Sequence, residues 1–208
     1  VLPTPQEHEL TDNLIKSVVE SNSSVVSSGS AFSQEEIRRY LGIDDRKKML
    51  LLPWQIDTDT NIILHGGAFK TNLDVIEALS EAITGTNYHL VVKPHPEEKT
   101  LTPEQIREMV GERGSGVEGV DLPSLLEAVD AVVVRNSTVG FESLLRGLPV
   151  ITLSDVMYAN FGATLTGSNA QELRRSIERL DECRTEAWWN EKVIPTAWHL
   201  LSRYHVLP

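Results

Sequence analysis

The sequence predicts an α/β fold, a Rossmann-like parallel sheet with helices on its faces. Three observations lead there. Short apolar runs recur at 49–53, 88–93, 116–120, 131–135 and 149–153, nearly continuous rather than alternating, as strands buried on both faces must be. Amphipathic segments separate them at 72–84, 103–111, 123–128 and 138–146, which supplies the crossover helices that a parallel sheet needs. Capping residues stand at the joins, most plainly Thr102 before Pro103, a cap followed by a first-turn proline.

Taken in order, the chain opens with a helix from Glu7, with Leu10, Leu14 and Val18 on one stripe. The run "SNSSVVSSGS", Ser21 to Ser30, reads as a linker. Residues 1–30 therefore form an N-terminal helix and linker, and residues 31–208 the sheet domain with its closing helices. Ser33 precedes Glu36 by three residues, a capping-box spacing that starts a helix through Tyr40 and Leu41. After the strand and helix alternation, helices over 169–180 and 186–204 close the chain, and Trp188, Trp189 and Trp198 pack the last of them onto the sheet.

A chain of 208 residues can bury a full core as one domain or as one lobe of a larger enzyme. Its start at Val1 points to an excised piece or a processed chain. Nineteen basic against thirty acidic residues give a net charge of −11, which argues against nucleic-acid partners and against docking on anionic lipid. The single cysteine, Cys183, excludes an internal disulfide framework and a Cys-cluster zinc site, and fits a reducing compartment. No apolar run approaches the roughly 18 residues that span a bilayer, so a cytoplasmic location with at most peripheral membrane contact is expected.

In parallel sheets, ligands sit beyond the carboxyl ends of the strands, and four constellations fall there. "LVVKPHPEE" sets Lys93 and His95 at a strand end between Pro94 and Pro96, which restrict the backbone on either side. Together they suit a phosphate, with His95 giving a hydrogen bond or a proton to a leaving oxygen. A stiff turn whose histidine caps a carbonyl is the plain alternative. "VVVRNSTVGFESLLRG" places Asn136, Ser137 and Thr138 where a helix N-cap belongs, an anion-binding context. Glu142 lies one turn down the same face, where it could accept from ribose hydroxyls. An ordinary capped crossover helix would look the same. "PWQIDTDTNIILHGG" offers Gln55, Asp57 and Asp59, then Gly66 and Gly67 before a helix. Two carboxylates without a third hard ligand make a poor metal site, and contact with ligand hydroxyls fits better. "DVMYANFGATLTG" carries Tyr158 and Phe161, which suit either a loop over a ligand ring or a packed connection.

In sequence, these segments resemble the bacterial capsule polysaccharide synthesis family, whose members include transferases of the acidic sugar Kdo from CMP-Kdo. The resemblance rests on the glutamine-and-acid loop Gln55 to Ile62, on Lys93-Pro94-His95-Pro96, on the turn running from Ser137 through Gly-Phe-Glu and Leu-Leu-Arg-Gly to Gly147, and on Tyr158-Ala159. It covers residues 49 to 165. Many relatives carry Gly-Trp-Gly-Leu where this chain has Asn160-Phe161-Gly162-Ala163.

The resemblance implies one lobe of a GT-B type glycosyltransferase, the lobe that holds the donor nucleotide. Similar His-Pro and Ser motifs in bacterial sialyltransferases contact the CMP phosphate, and carried over, His95 would assist departure of CMP. Lys93, Pro96, Asn136, Ser137, Thr138, Gln55, Asp57, Gly67 and Tyr158 would line the donor, and Glu142 would hold its ribose or cytosine side. No metal and no cofactor beyond the CMP-activated sugar are implied. The partners are a nucleotide-sugar donor and a saccharide or glycolipid acceptor at the inner face of a bacterial membrane. Residues 1–48 are too short for the acceptor lobe, which is expected outside this chain. A lobe that takes a CDP- or UDP-activated donor, with Lys93 and Arg135 facing a diphosphate, and a catalytically silent binding module are the alternatives.

Overall fold

The computed structural model describes residues 2–21, 29–97, 102–159 and 161–204. Helix α1 (Pro5–Glu20) and α2 (Gln34–Leu41) precede six strands, β1 (Lys48–Pro53), β2 (Tyr88–Lys93), β3 (Gly114–Gly116), β4 (Ala131–Val134), β5 (Val150–Thr152) and β6 (Leu165–Thr166). Between them lie α3 (Thr60–His65), α4 (Asn72–Ala82), α5 (Pro103–Val110), α6 (Leu122–Ala128) and α7 (Val139–Leu145). The chain closes with α8 (Ala170–Glu178), the single turn α9 (Glu186–Trp188), a π-helical turn over Trp189–Val193 and α10 (Ile194–Tyr204).

All strand pairs are parallel, in the order β3-β2-β1-β4-β5-β6. The order reverses between β1 and β4, and such a switch point leaves a crevice beyond the strands' carboxyl ends. The strands read as continuous apolar runs because both faces are covered. Met49 to Leu52, Leu90 to Val92 and Ala131 to Val134 are all at most 1 % exposed, and each large apolar side chain so buried contributes about 1.5–3 kcal/mol.

The caps expected at Ser33 and Thr102 form, each as a reciprocal capping box, with Glu36 and with Gln105. Thr71 with Asp74 completes a third box that the sequence reading missed, and α2 ends at Gly42 with φ +66°, a left-handed stop that favours glycine. Helix α1 packs on α10, and the Trp189 indole donates to Asp12 at 3.1 Å. The packing reading of the tryptophans therefore holds for Trp188, which is buried in the core, and for Trp189, which packs against it. Most of the predicted linker, residues 22–28, falls outside the described residues.

Three expectations need correction. The strand expected over 116–120 is Gly114–Gly116, and Val117 and Val120 are buried in the turn that follows it. A Cβ at Gly114 would meet the Leu90 carbonyl at 2.8 Å, and one at Gly116 the Pro103 backbone at 2.7 Å. This edge strand thus runs where only glycine fits, and its sequence carries no strand signal. The last helix is not continuous from 186, because the π turn interrupts it. Helix α3 and strand β6 were not expected at all.

Candidate functional site

The site is built from the loops that follow β1, β2, β4 and β5. Pro53, the last residue of β1, stands in register with Lys93 of β2, and the Trp54 amide continues the ladder by donating to the Lys93 carbonyl at 2.8 Å. Gln55 is thereby delivered to the switch point. Its amide nitrogen donates to Asn136 Oδ1 at 2.8 Å, and its oxygen accepts from the Asn136 N–H at 3.3 Å. Asn136 then donates through Nδ2 to the Asn61 carbonyl of α3 at 2.9 Å. Two residues predicted separately are thus clasped across the crevice.

Asp57 accepts from the Asn72 N–H at 3.0 and 3.1 Å and from Arg135 Nη1 at 2.6 Å. Asp59 accepts from the Asn61 N–H at 2.8 Å as the cap of α3. Both carboxylates are therefore engaged in shaping their loop. Arg135 is 2 % exposed, so it cannot face a diphosphate as the alternative donor reading required. The physical reason is that its guanidinium finds acceptors inside, in Asp57 and in the Phe69 and Lys70 carbonyls at 2.8 and 3.1 Å. Gly67 has φ +78° and lies against the end of β5, where a Cβ would stand 2.1 Å from the Leu153 carbonyl.

Beyond β2, His95 Nδ1 accepts from the Glu97 N–H at 3.2 Å. In the neutral ring this places the proton on Nε2, which has no hydrogen-bond partner among the described residues. Two flanking prolines and one amide therefore hold the imidazole with a donor left over. Pro96 beside it is exposed. Lys93 is half-buried and donates through Nζ to the Val120 carbonyl at 2.7 Å. Burial pushes its ammonium below the ordinary lysine range, opposed by Asp121 and Glu118.

Beyond β4, Ser137 Oγ accepts from the Val139 N–H at 3.2 Å and keeps its own proton to donate. Thr138 occupies the N-cap of α7 without a side-chain cap bond. Glu142 follows one turn down with 19 % of its side chain exposed, 3.4 Å from Arg146. Burial raises its carboxyl's pKa, and Arg146 opposes that rise.

Tyr158 takes the packed alternative. It is 4 % exposed, stacks on Phe141 with ring centroids 6.0 Å apart and donates its hydroxyl to the Ser137 carbonyl. Burial drives its phenol far above the ordinary tyrosine range. Gly140 makes the approach possible, since a Cβ there would stand 2.3 Å from the Tyr158 hydroxyl. Phe161 packs on His199 with centroids 4.6 Å apart, and Asn160 lies outside the described residues.

The fold thus brings Gln55, Asn136 and Asp57 into one hydrogen-bonded cluster, seats Ser137 on Tyr158, and sets Lys93 and His95 at the end of the adjoining strand. Asn61, Asn72, Ser154 and the positioning of Arg135 escaped the sequence reading. The one signal for Arg135 was a cation ending a buried strand while two acids waited in another loop. Among the described residues no helix is long and apolar enough to cross a membrane.

Comparison with known proteins agrees with this architecture. A capsule polysaccharide modification protein, LipA of Neisseria meningitidis serogroup B, is 27 % identical over 124 residues, covering 57 % of this chain and 17 % of LipA. Protein FixF of Sinorhizobium fredii is 27 % identical over 146 residues, covering 67 % of this chain and 35 % of FixF. Among solved structures, the beta Kdo 2,4 transferase of KpsC from Thermosulfurimonas dismutans superposes with a TM-score of 0.59 at 20 % identity, covering 94 % of this chain and 56 % of that one. The beta Kdo 2,7 transferase of the same protein gives 0.58 at 22 %, covering 82 % and 53 %. The fold is therefore that of GT-B type glycosyltransferases, and the chain spans little more than half of either solved neighbour and less of the curated relatives. Residues 6–187 match the family model described as capsule polysaccharide biosynthesis protein, and the chain belongs to that family.

Proposed function

We propose that this chain is the donor-binding lobe of a glycosyltransferase that moves an acidic sugar, Kdo, from its CMP-activated form to a surface polysaccharide or glycolipid. The observation that carries the reading is the arrangement at the switch point. The Gln55–Asn136 clasp, the hydroxyls of Ser137 and Thr138, and a histidine with its Nε2 proton unspent lie at the strand ends where a nucleotide would sit. As the bond from the sugar's anomeric carbon to the phosphate oxygen breaks, negative charge grows on the departing CMP. His95 Nε2–H gives that oxygen a hydrogen bond or its proton, and Ser137 and Thr138 donate to the remaining phosphate oxygens. Glu142 is placed to accept from the ribose hydroxyls or the cytosine amine. The acceptor, and the base that removes its proton, belong to residues outside this chain. A monophosphate leaving group needs no divalent ion in this scheme, and the work is done at the cytoplasmic face of the membrane.

The state of Arg135 favours a CMP donor over a CDP- or UDP-activated one. Its guanidinium is buried on Asp57, so it does not stand ready for a second phosphate, and Lys93 keeps two ammonium donors beside its bond to the Val120 carbonyl for the single phosphate of CMP. Calorimetric titration with CMP, CDP and UDP tests the reading. Selective CMP binding that weakens in both His95→Ala and Ser137→Ala is expected. Equal or tighter binding of UDP would move the donor class, and binding indifferent to both substitutions would favour a catalytically silent module.

A further inference from the structure

We propose that Arg135 is the positioning residue of this site, clamping the loop between β1 and α4 onto the end of β4 and so fixing Gln55 and Asn136 for the donor. The inference rests on the donor reading for its consequence, but not for its geometry. The loop runs from Trp54 to Thr71 and contains only the short α3. A connection of that length needs ties if it is to present side chains in one arrangement. Arg135 ties both of its arms at once. Nη1 grips Asp57 on the outgoing arm at 2.6 Å, and Nη2 grips the carbonyls of Phe69 and Lys70 on the returning arm at 2.8 and 3.1 Å. The planar fork of a guanidinium can do this and the point charge of a lysine cannot.

The ties close into a ring. Arg135 holds Asp57, and Asp57 accepts from the Asn72 N–H. The Asn72 side chain donates to the Gln55 carbonyl, and the Gln55 amide clasps Asn136, the residue next to Arg135 in the chain. Space confirms the fit, because a Cβ at Gly66 would stand 2.8 Å from Arg135 Nη2. Arg135 itself is anchored by Ser154, whose hydroxyl donates to the Arg135 carbonyl at 2.8 Å. The buried guanidinium thus joins both arms of the loop after β1 to the end of β4, and Ser154 after β5 holds its backbone in place.

The test is Arg135→Lys, which keeps the charge but loses the fork, read by the side-chain amide signals of Gln55 and Asn136 in a nitrogen–proton correlation spectrum and by calorimetric titration with CMP. The clamp predicts that both amide signals move or broaden while the variant still unfolds cooperatively, and that CMP binds about tenfold more weakly. Asp57→Asn retains an acceptor for Arg135 and should give the same changes at a smaller size, which keeps the test open if Arg135→Lys does not fold. Amide signals that stay at their wild-type positions in a folded variant would overturn the clamp. Moved signals with unchanged CMP affinity would overturn its role in positioning the donor. Should the wild-type chain bind no CMP, the donor reading falls by itself, and the amide signals still decide whether Arg135 sets Gln55 and Asn136.

Discussion

Two histidines mark the opposite ends of β2 and show how one strand separates structure from chemistry. His89, near the start, reaches sideways across the sheet to Ser115 of β3, with Nε2 and Oγ 3.0 Å apart. Burial, with Lys47 and Arg107 nearby, lowers its pKa to about 4, so at neutral pH it is an uncharged cross-strand pair. His95, two residues past the other end, spends Nδ1 on a local amide and keeps Nε2 for something else. The residue type is the same, but a ladder surrounds one ring and open loop ends surround the other. Only the second lies beyond the carboxyl ends of the strands, the side on which parallel sheets bind ligands.

The largest effect is expected at His95. On the proposed reading, His95→Ala in the full-length protein should lower turnover of a CMP-activated donor by about 10²–10⁴-fold while thermal stability changes by less than about 0.5 kcal/mol. A large loss of stability with little loss of turnover would make the histidine a structural cap.

Gly140→Ala probes whether the same end depends on close backbone packing. The new methyl would push Tyr158 from the Ser137 carbonyl, with an expected cost of about 1–3 kcal/mol in a denaturant titration, together with weaker CMP binding.

The other end sharpens the contrast through pH. His89 has a folded pKa near 4 against roughly 6.5 in an unfolded chain, so the unfolded state binds the proton more readily between these values. Its neutral form contributes fully above pH 6.5, and that contribution is lost as pH falls towards 4, by about 1–2 kcal/mol once its partial exposure is discounted. His89→Leu should flatten this acid limb and leave CMP affinity within about twofold. The smallest effect is expected for Ser115→Ala, which removes one cross-strand hydrogen bond and should cost about 1 kcal/mol or less, with no change in nucleotide binding.

What was legible in the sequence follows from how much each segment's conformation is local. The apolar runs of β1, β2 and β4, the capping box of α2 and the Thr102 cap of α5 carry their structure in their own residues, and they were read correctly. Strand β3 is Gly-Ser-Gly, held by pairing with β2 and by crowding from α5, so no local propensity announces it. Helix α3 is six residues long with Ile63 and Leu64 both 67 % exposed, which gives no amphipathic stripe to detect. At the strand ends, the positions of Gln55, Asn136, Ser137 and His95 were legible because each follows an apolar run. Long-range partnership was not. The commitment of Arg135 to Asp57 spans 78 positions, and the burial of Tyr158 under Ser137 depends on space left by Gly140 in another element.

Ligand chemistry at the carboxyl end of β2 and not at its start can be read from the protein labelled with nitrogen-15 in its histidine rings and titrated with CMP. The Nε2 signal of His95 should move saturably with added nucleotide while the ring signals of His89 stay in place. Movement of His89 with His95 unchanged, or saturable CMP binding that leaves both rings unmoved, would contradict that placement.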